Sequence, residues 1–184
     1  MFREFVNKIK EQVRILRVDS IRLRAKEYPS FSPSNLSVIV APHPDDEVFG
    51  CCGLMQRLIA LGKRVELIIM TGGGKSHAGC CDIDENELIR QRRQLTIRAA
   101  KEYGLSQEYI HFLDYPDGGV LESDSQTDKL SSLIHKIVDG QNDVSVFYPH
   151  KNGEGWSDHV TTSNIVCKRL RVYTLHNSKK SSNS

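Results

Sequence analysis

Two short groups of histidine and acidic residues have the types and the spacing of a metal site. The first, His43-Pro-Asp-Asp-Glu47, follows directly after the apolar, β-branched run Leu36–Ala41. The second, Asp158-His159, comes shortly after another apolar run at 143–149. Imidazole and carboxylate are ligands of a catalytic zinc or a similar divalent ion, which takes three protein ligands and leaves a fourth position to water. The two groups therefore predict metal-dependent catalysis.

The spacing of these residues suggests a division of roles. His43 and Asp46 are close in a tight turn, so both can face one ion, whereas Asp45 between them points elsewhere. His159 is the candidate third ligand. A bound zinc lowers the pKa of its water from 15.7 to about 7, and a nearby carboxylate can then accept a proton from that water. Asp45 is the candidate general base.

The elements that carry these groups alternate between strand and helix patterns. Apolar runs predict strands at 36–41, 64–71, 109–113 and 143–149. Helical periodicity predicts helices at 54–61, 85–103, 130–138 and 157–170. Such alternation is typical of an α/β fold with a doubly wound, mostly parallel sheet. Ligands bind at the carboxyl ends of the strands in such sheets, which is where both groups are expected.

Two further segments allow more than one interpretation. The helix at 85–103 is predicted to bury Leu88, Leu95, Ala99 and Tyr103, and its arginines are interpreted as a solvated face, although one near the helix start could reach an anionic substrate group. The glycine-rich loop at 72–86 contains His77, Cys80 and Cys81. These three could form a metal cluster, but adjacent cysteines without a second spaced pair favour a rim loop over the site.

Composition restricts the class of protein. The 184 residues predict one domain, and a net charge of +2 does not indicate nucleic-acid binding. The five cysteines include two adjacent pairs, which is a poor disulfide framework and favours a reducing, cytoplasmic compartment. No apolar run approaches the roughly 18 residues of a membrane span, and no signal peptide is evident.

The N-terminal segment is predicted to be a separate amphipathic helix. Residues 2–27 show an apolar stripe with a basic surface around it, and a Pro/Ser linker follows up to residue 34. A helix packed on the domain or on a second subunit of a homo-oligomer explains this pattern. The alternative is peripheral contact with anionic lipid at the inner face of the membrane. The polar stretch 176–184 is interpreted as a tail.

The chain resembles the PIG-L/LmbE family of zinc-dependent N-acetylglucosaminyl de-N-acetylases. Four motifs, each after a predicted strand, carry the resemblance: Ala41-Pro-His-Pro-Asp-Asp-Glu47, Thr71-Gly72, Tyr115-Pro-Asp-Gly118 and Ser157-Asp-His159. The resemblance implies a Rossmann-like, three-layer α/β/α domain over residues 35–175. It also implies hydrolysis of the acetamide of an amino sugar that is free or linked to a nucleotide, lipid or glycan.

By motif position, the resemblance implies that zinc, or another divalent transition metal, is bound by His43, Asp46 and His159. It also implies that Asp45 is the general base. It implies that Glu47 supports the loop and that Asp158 orients neighbouring groups. Asp117 is interpreted as a residue that braces its loop, with a substrate role as the alternative.

Two positions differ from the family pattern. Trp156 stands three residues before the last ligand, where the family usually has histidine, and Thr96 stands where the long helix usually has glutamate. We expect Trp156 to help hold the oxyanion, while Asp45, or alternatively His150, protonates the amine. The alternative functions are a shortened, silent relative that binds a carbohydrate or a partner, and an amidohydrolase acting on non-sugar N-acyl compounds.

Overall fold

The computed structural model describes residue 12 and residues 32–150 and 156–168. The chain divides into two compact units at the boundary between Ser32 and Pro33, and the strands and helices named in this section belong to the second. Apart from residue 12, the predicted helix at 2–27 lies outside the described residues, and so does the predicted tail at 176–184, so both stay predictions.

A four-stranded parallel sheet forms the centre of the described fold. Its strands are β1 (Leu36–Ala41), β2 (Arg64–Thr71), β3 (Ile110–Tyr115) and β4 (Val144–Phe147). They lie in the order β3-β2-β1-β4, and all three pairings are parallel. The carboxyl ends of the strands therefore share one edge. This arrangement confirms the predicted α/β fold with a parallel sheet.

Helices connect the strands and cover both faces of the sheet. They are α1 (Asp46–Ala60), α2 (Glu85–Glu102), α3 (Asp124–Val138) and α4, whose described part is 157–168. Short 3₁₀ turns occur at Gly74–His77 and Gln107–Tyr109. None of the helices in the described part of the chain has the length and apolar run needed to cross a bilayer.

The alternating side chains of β1 divide the core into two layers. Leu36, Val38 and Val40 pack in a cluster with residues of α3 and α4, whereas Ile39 and Ala41 pack with residues of α1 and α2. All six residues of β1 are buried. A strand buried on both faces reads as a continuous apolar run, which explains why the sequence pattern located β1 so clearly.

The predicted buried face of α2 is partly wrong. Leu88 is buried as expected, but Leu95 is 55% exposed, and Thr96 and Ala100 are buried instead. The inner face follows Leu88, Arg92, Thr96 and Ala100, one helical turn apart. Because this face meets polar groups of the strand-end loops as well as the core, hydrophobicity alone did not identify it.

Candidate metal centre and catalytic cleft

The turn after β1 positions the first two predicted ligands. The backbone N–H of His43 donates to Oδ2 of Asp46 (2.9 Å), and the N–H of Asp46 donates to the carbonyl of His43 (3.3 Å). Helix α1 begins at Asp46, so Asp46 and Glu47 lie in its first turn. Carboxylates are favoured there by the helix dipole. The strand, the turn and the helix together hold Asp46 towards the carboxyl edge of the sheet.

His43, Asp46 and His159 come together at this edge. Oδ2 of Asp46 lies 3.3 Å from Nδ1 of His43 and 3.2 Å from Nε2 of His159. The three donor atoms all lie within 4.8 Å of one another. A tetrahedral ion with bonds of about 2.0–2.1 Å separates its ligands by roughly 3.3 Å. Both the types of these donors and their separations therefore fit a zinc-like ion.

The charges in the cluster favour a carboxylate at Asp46. Burial opposes its charge, but hydrogen bonds with His159 and His43 hold the pKa of Asp46 well below its usual range. Burial likewise opposes protonation of His43, yet Asp46, Asp158 and Asp117 together raise the pKa of His43 above its ordinary value. A metal ligand must be neutral imidazole, so metal binding here displaces a proton from His43 at low pH.

Asp158 joins three parts of the cleft through one buried carboxylate. It lies in the first turn of α4 and is 2% exposed. Its oxygens accept hydrogen bonds from the backbone N–H groups of Gly118 (2.8 Å) and Val120 (3.2 Å), and Oδ2 lies 3.2 Å from Nε2 of His43. Because Nε2 of His43 is held in this way, Nδ1 remains directed at Asp46.

Asp117 has contacts that brace the loop after β3. Its Oδ1 lies 3.3 Å from Nε2 of His43, and its Oδ2 accepts the backbone N–H of Lys75 (2.8 Å). It thus connects the loop after β3 to the loop after β2 and to a candidate ligand. Asp117 also lines the cavity over the candidate metal centre, so both the bracing role and the role at the substrate stay predictions.

Asp45 has a strained backbone that its neighbours hold in place. Its φ of 139° lies in a region that non-glycine residues rarely adopt, at a cost of about 1–3 kcal/mol. The N–H of Asp45 donates to Oε2 of Glu47 (2.9 Å), and the hydroxyl of Thr96 contacts Oε1 of Glu47 (3.4 Å). Glu47 is buried, and so is Thr96, which stands where the PIG-L/LmbE family usually has glutamate.

Arg92 is a residue of the cleft that sequence reasoning did not single out. It is only 15% exposed, and it donates to the carbonyls of Gly73 and Pro44 and to the Asp45 carboxylate at 3.0 Å. Burial raises the pKa of Asp45, while the Arg92 guanidinium opposes that rise. Arg92 lies four residues after Leu88 and four residues before Thr96. This spacing places Arg92 on the buried face of α2, which is the sequence feature that could have identified it.

A cavity of about 660 Å³ opens over the candidate metal centre. Asp45, Asp46, His43 and His159 line it together with two aromatic side chains, Phe49 and Trp156. Phe49 is 88% exposed and Trp156 is 67% exposed, so both rings face the mouth of the cavity. Phe49 was not predicted. Large exposed aromatic side chains beside a polar cavity are typical of a binding surface.

His150 lies elsewhere. It lines a neighbouring cavity of about 540 Å³ between α1 and the end of β4, and it does not line the cavity that holds Asp45 and Trp156. Asp46 and His159 border both cavities. Asp45 is therefore better placed than His150 to exchange protons with a ligand next to Trp156.

One protein-family model matches most of the chain. The model for GlcNAc-PI de-N-acetylases, the PIG-L family, matches residues 38–170, which include most of β1, the other three described strands and all three candidate ligands. No curated protein sequence matches the chain.

Solved structures share the fold. An N,N'-diacetylchitobiose deacetylase from Pyrococcus horikoshii has a TM-score of 0.68 and 24% identity, with 93% of this chain and 59% of that chain covered. The 4-carboxy-2-hydroxymuconate hydratase GalB from Pseudomonas putida has a TM-score of 0.57 and 18% identity, with 73% and 55% covered. A teicoplanin deacetylase, Orf2, has a TM-score of 0.55 and 14% identity, with 76% and 64% covered. The chain thus spans less than two thirds of each of these structures.

Proposed function

The chain belongs to the PIG-L family of GlcNAc-PI de-N-acetylases, and from this premise we propose that it is a metal-dependent hydrolase that removes the N-acetyl group from an N-acetylglucosamine-type sugar. The family match agrees with the resemblance inferred from the four motifs. The observation that carries the proposal is the shared contact of Asp46 with His43 and His159, because it unites ligands that are far apart in the sequence but follow the neighbouring strands β1 and β4.

The donor set supports zinc or another divalent transition metal. Two imidazoles and one carboxylate leave a coordination position open, as catalytic zinc sites require. When bound, such an ion would polarise a carbonyl oxygen and lower the pKa of a water molecule. His43 and Asp46 would hold it from the turn after β1, and His159 would hold it from α4.

Asp45 is proposed to move the proton. A water molecule adds to the acetamide carbon and gives a proton to the Asp45 carboxylate, the carbon–nitrogen bond breaks, and Asp45 returns the proton to the departing amine. The products are acetate and the free amino sugar. The pKa of Asp45, raised by burial, favours this exchange, and its ion pair with Arg92 keeps the carboxylate at the cleft wall.

The two exposed aromatic residues support a sugar as the substrate. Pyranose rings present apolar C–H faces that pack against aromatic rings, and Phe49 and Trp156 offer such faces at the cavity mouth. Trp156 also carries an indole N–H, a donor without acceptor capacity. We propose that this N–H stabilises negative charge that develops on the acetamide oxygen.

A second candidate is an amidohydrolase that acts on non-sugar N-acyl compounds. The solved structures with this fold include GalB, a 4-carboxy-2-hydroxymuconate hydratase, so the fold alone does not identify a sugar as the substrate. A fold of this kind therefore serves more than one chemistry. The substrate panel described next separates the two candidates.

The test combines metal analysis with acetate release. The purified wild type is compared with Asp45→Ala and His159→Ala on N-acetyl sugars and on N-acyl amino acids. His135→Ala, an exposed histidine on α3, is the matched control. We expect acetate from N-acetyl sugars with the wild type and the control, and metal retention without turnover in Asp45→Ala. His159→Ala should lose turnover and the metal of the catalytic centre. Turnover of N-acyl amino acids alone would favour the second candidate, and equal behaviour of all four proteins would contradict both.

A further inference from the structure

A second group of metal-binding side chains lies in the loop after β2, apart from the candidate catalytic centre. The Sγ atoms of Cys80 and Cys81 are 3.8 Å apart, and Sγ of Cys81 lies 3.6 Å from Nδ1 of His77. All three donor atoms lie within 4.8 Å of one another, and all three residues are exposed. The described cysteines are free thiols.

These separations match those of ligands around one tetrahedral ion. Zinc binds sulfur at about 2.3 Å and nitrogen at about 2.0–2.1 Å, so two sulfurs on one ion are roughly 3.8 Å apart and a sulfur and a nitrogen roughly 3.5 Å apart. Hydrogen bonds between the three side chains are a weaker explanation for their convergence, because thiols are weak donors and weak acceptors. The agreement on both separations therefore favours a metal site over a chance contact.

The backbone of the loop brings the three side chains together. A 3₁₀ turn spans Gly74–His77, and the N–H of Cys80 donates to the carbonyl of His77 (3.1 Å). Gly79 has a φ of 79°, which glycine adopts without strain. This reversal directs Cys80 and Cys81 back over His77, so the site is formed by five consecutive residues.

We propose that His77, Cys80 and Cys81 bind a thiophilic divalent ion of the zinc class, with a fourth position open to an external ligand. Two thiolates balance the charge of such an ion, and a neutral imidazole completes a donor set that soft metals prefer over magnesium or calcium. The donors differ from the two histidines and one carboxylate of the catalytic centre. The proposal is independent of the hydrolase function.

The position of this rim site gives it a consequence for the cleft. Lys75 and Ser76 of the same loop line the cavity over the catalytic centre, and the N–H of Lys75 donates to Asp117. His77, Cys80 and Cys81 come directly after Lys75 and Ser76. Metal bound to the three ligands would therefore hold this part of the loop in place. The rim site would thus order one wall of the substrate cavity.

The test is a Co²⁺ titration of the full chain under a non-thiol reductant. Thiolate ligands give Co²⁺ an intense near-ultraviolet charge-transfer band that histidine and carboxylate do not give. We expect this band in the wild type and in Asp46→Ala. Cys80→Ser/Cys81→Ser should lose the band completely and should bind one metal equivalent per chain less than the wild type. The matched control is Cys51→Ser/Cys52→Ser, which alters the other adjacent pair, on α1, and should keep the band.

Three results would overturn the proposal. They are no thiolate band in the wild type, a band that persists in Cys80→Ser/Cys81→Ser, and a Cys80–Cys81 disulfide that forms and excludes metal even under reductant. Circular dichroism of each variant verifies folding. Because Cys80 and Cys81 are exposed, their replacement should leave the fold intact.

Discussion

The catalytic centre and the rim site are built in opposite ways. His43 and Asp158, which lie together in the catalytic centre, are 115 positions apart in the sequence, whereas His77 and Cys81 of the rim site are only 4 apart. The three candidate metal ligands of the catalytic centre are buried or half-buried, and the rim side chains are exposed. The first site depends on the whole sheet, and the second depends on one turn.

This difference shows which residues each site needs. The catalytic centre is supported by side chains outside the proposed ligand set. Asp158 holds His43, and Glu47 and Arg92 hold Asp45. Support of that kind is costly to lose, since it fixes the geometry of the groups that act at the site. The rim site has only local support. Changes to the supporting residues should therefore affect the catalytic centre and leave the rim site unaltered.

The largest effect is expected from His159→Ala. Loss of one of three ligands should remove metal from the catalytic centre and lower the rate of acetate release by about three orders of magnitude or more, which is roughly 4 kcal/mol of barrier. Metal analysis and an acetate assay measure this, with His135→Ala as the control. A variant that kept its rate would remove His159 from the proposed ligand set.

Asp158→Asn should follow in size. Asparagine keeps the shape of the side chain, but its NH₂ group cannot accept a hydrogen bond as the second carboxylate oxygen does. Asp158→Asn therefore holds His43 less firmly in its orientation. We expect metal affinity at the catalytic centre to fall about 10–100-fold. Chelator competition measures this affinity. If the affinity of the rim site fell equally, the two sites would not be independent.

Arg92→Lys should lower kcat about tenfold and leave the metal content unchanged. Lysine keeps the positive charge but cannot contact the carbonyls of Gly73 and Pro44 and the Asp45 carboxylate together, so Asp45 is less well held. Steady-state kinetics separates kcat from KM, and Arg98→Lys, at an exposed position of α2, is the control. A change confined to KM would instead indicate a role in substrate binding.

Trp156→Phe should lower kcat by several-fold, up to about tenfold. The phenyl ring preserves aromatic packing and removes the indole N–H. A buried oxyanion donor is worth about 10²–10³ in kcat, and the effect here should be smaller because Trp156 is exposed to solvent. Comparison with Trp156→Ala, which should mainly raise KM, distinguishes hydrogen bonding from ring packing. Full activity of Trp156→Phe would contradict the oxyanion role.

Cys80→Ser/Cys81→Ser should have the smallest effect on the catalytic centre. The free energy of unfolding without metal should change by less than about 0.5 kcal/mol, because both side chains are exposed. Metal loading at His43, Asp46 and His159 should be unaltered. Chemical denaturation and metal analysis measure these two quantities. Loss of metal from the catalytic centre in this variant would mean that the two sites are coupled.

The parts of the fold that could be predicted are those where one physical effect dominates. The predicted bounds of β1 and β2 are confirmed because both strands are continuous apolar runs. The ends of β3 and β4 differ by one or two residues from the prediction, since polar residues continue one strand and apolar residues extend beyond the other. The convergence of His43, Asp46 and His159 was predictable because parallel strands share a carboxyl edge.

The rest depended on tertiary contacts. Arg92 is half-buried because backbone carbonyls and a carboxylate satisfy its guanidinium, and a sequence pattern gives no sign of such partners. Phe49 was missed because the predicted helix at 54–61 did not include it, whereas the observed helix begins at Asp46. The metal-binding potential of His77, Cys80 and Cys81 was judged weak from spacing alone, whereas the observed distances give that group a defined geometry.

Hydrogen exchange at two backbone amides in the loop after β3 reports on the first turn of α4, because both amides donate to the Asp158 carboxylate. The N–H groups of Gly118 and Val120 are hydrogen-bonded to this side chain, so they exchange with solvent only when Asp158 moves away. Since His159 is the next residue, the same local opening of α4 separates a ligand from its partners. Hydrogen exchange at these two amides therefore measures how often the catalytic centre comes apart while the sheet remains folded.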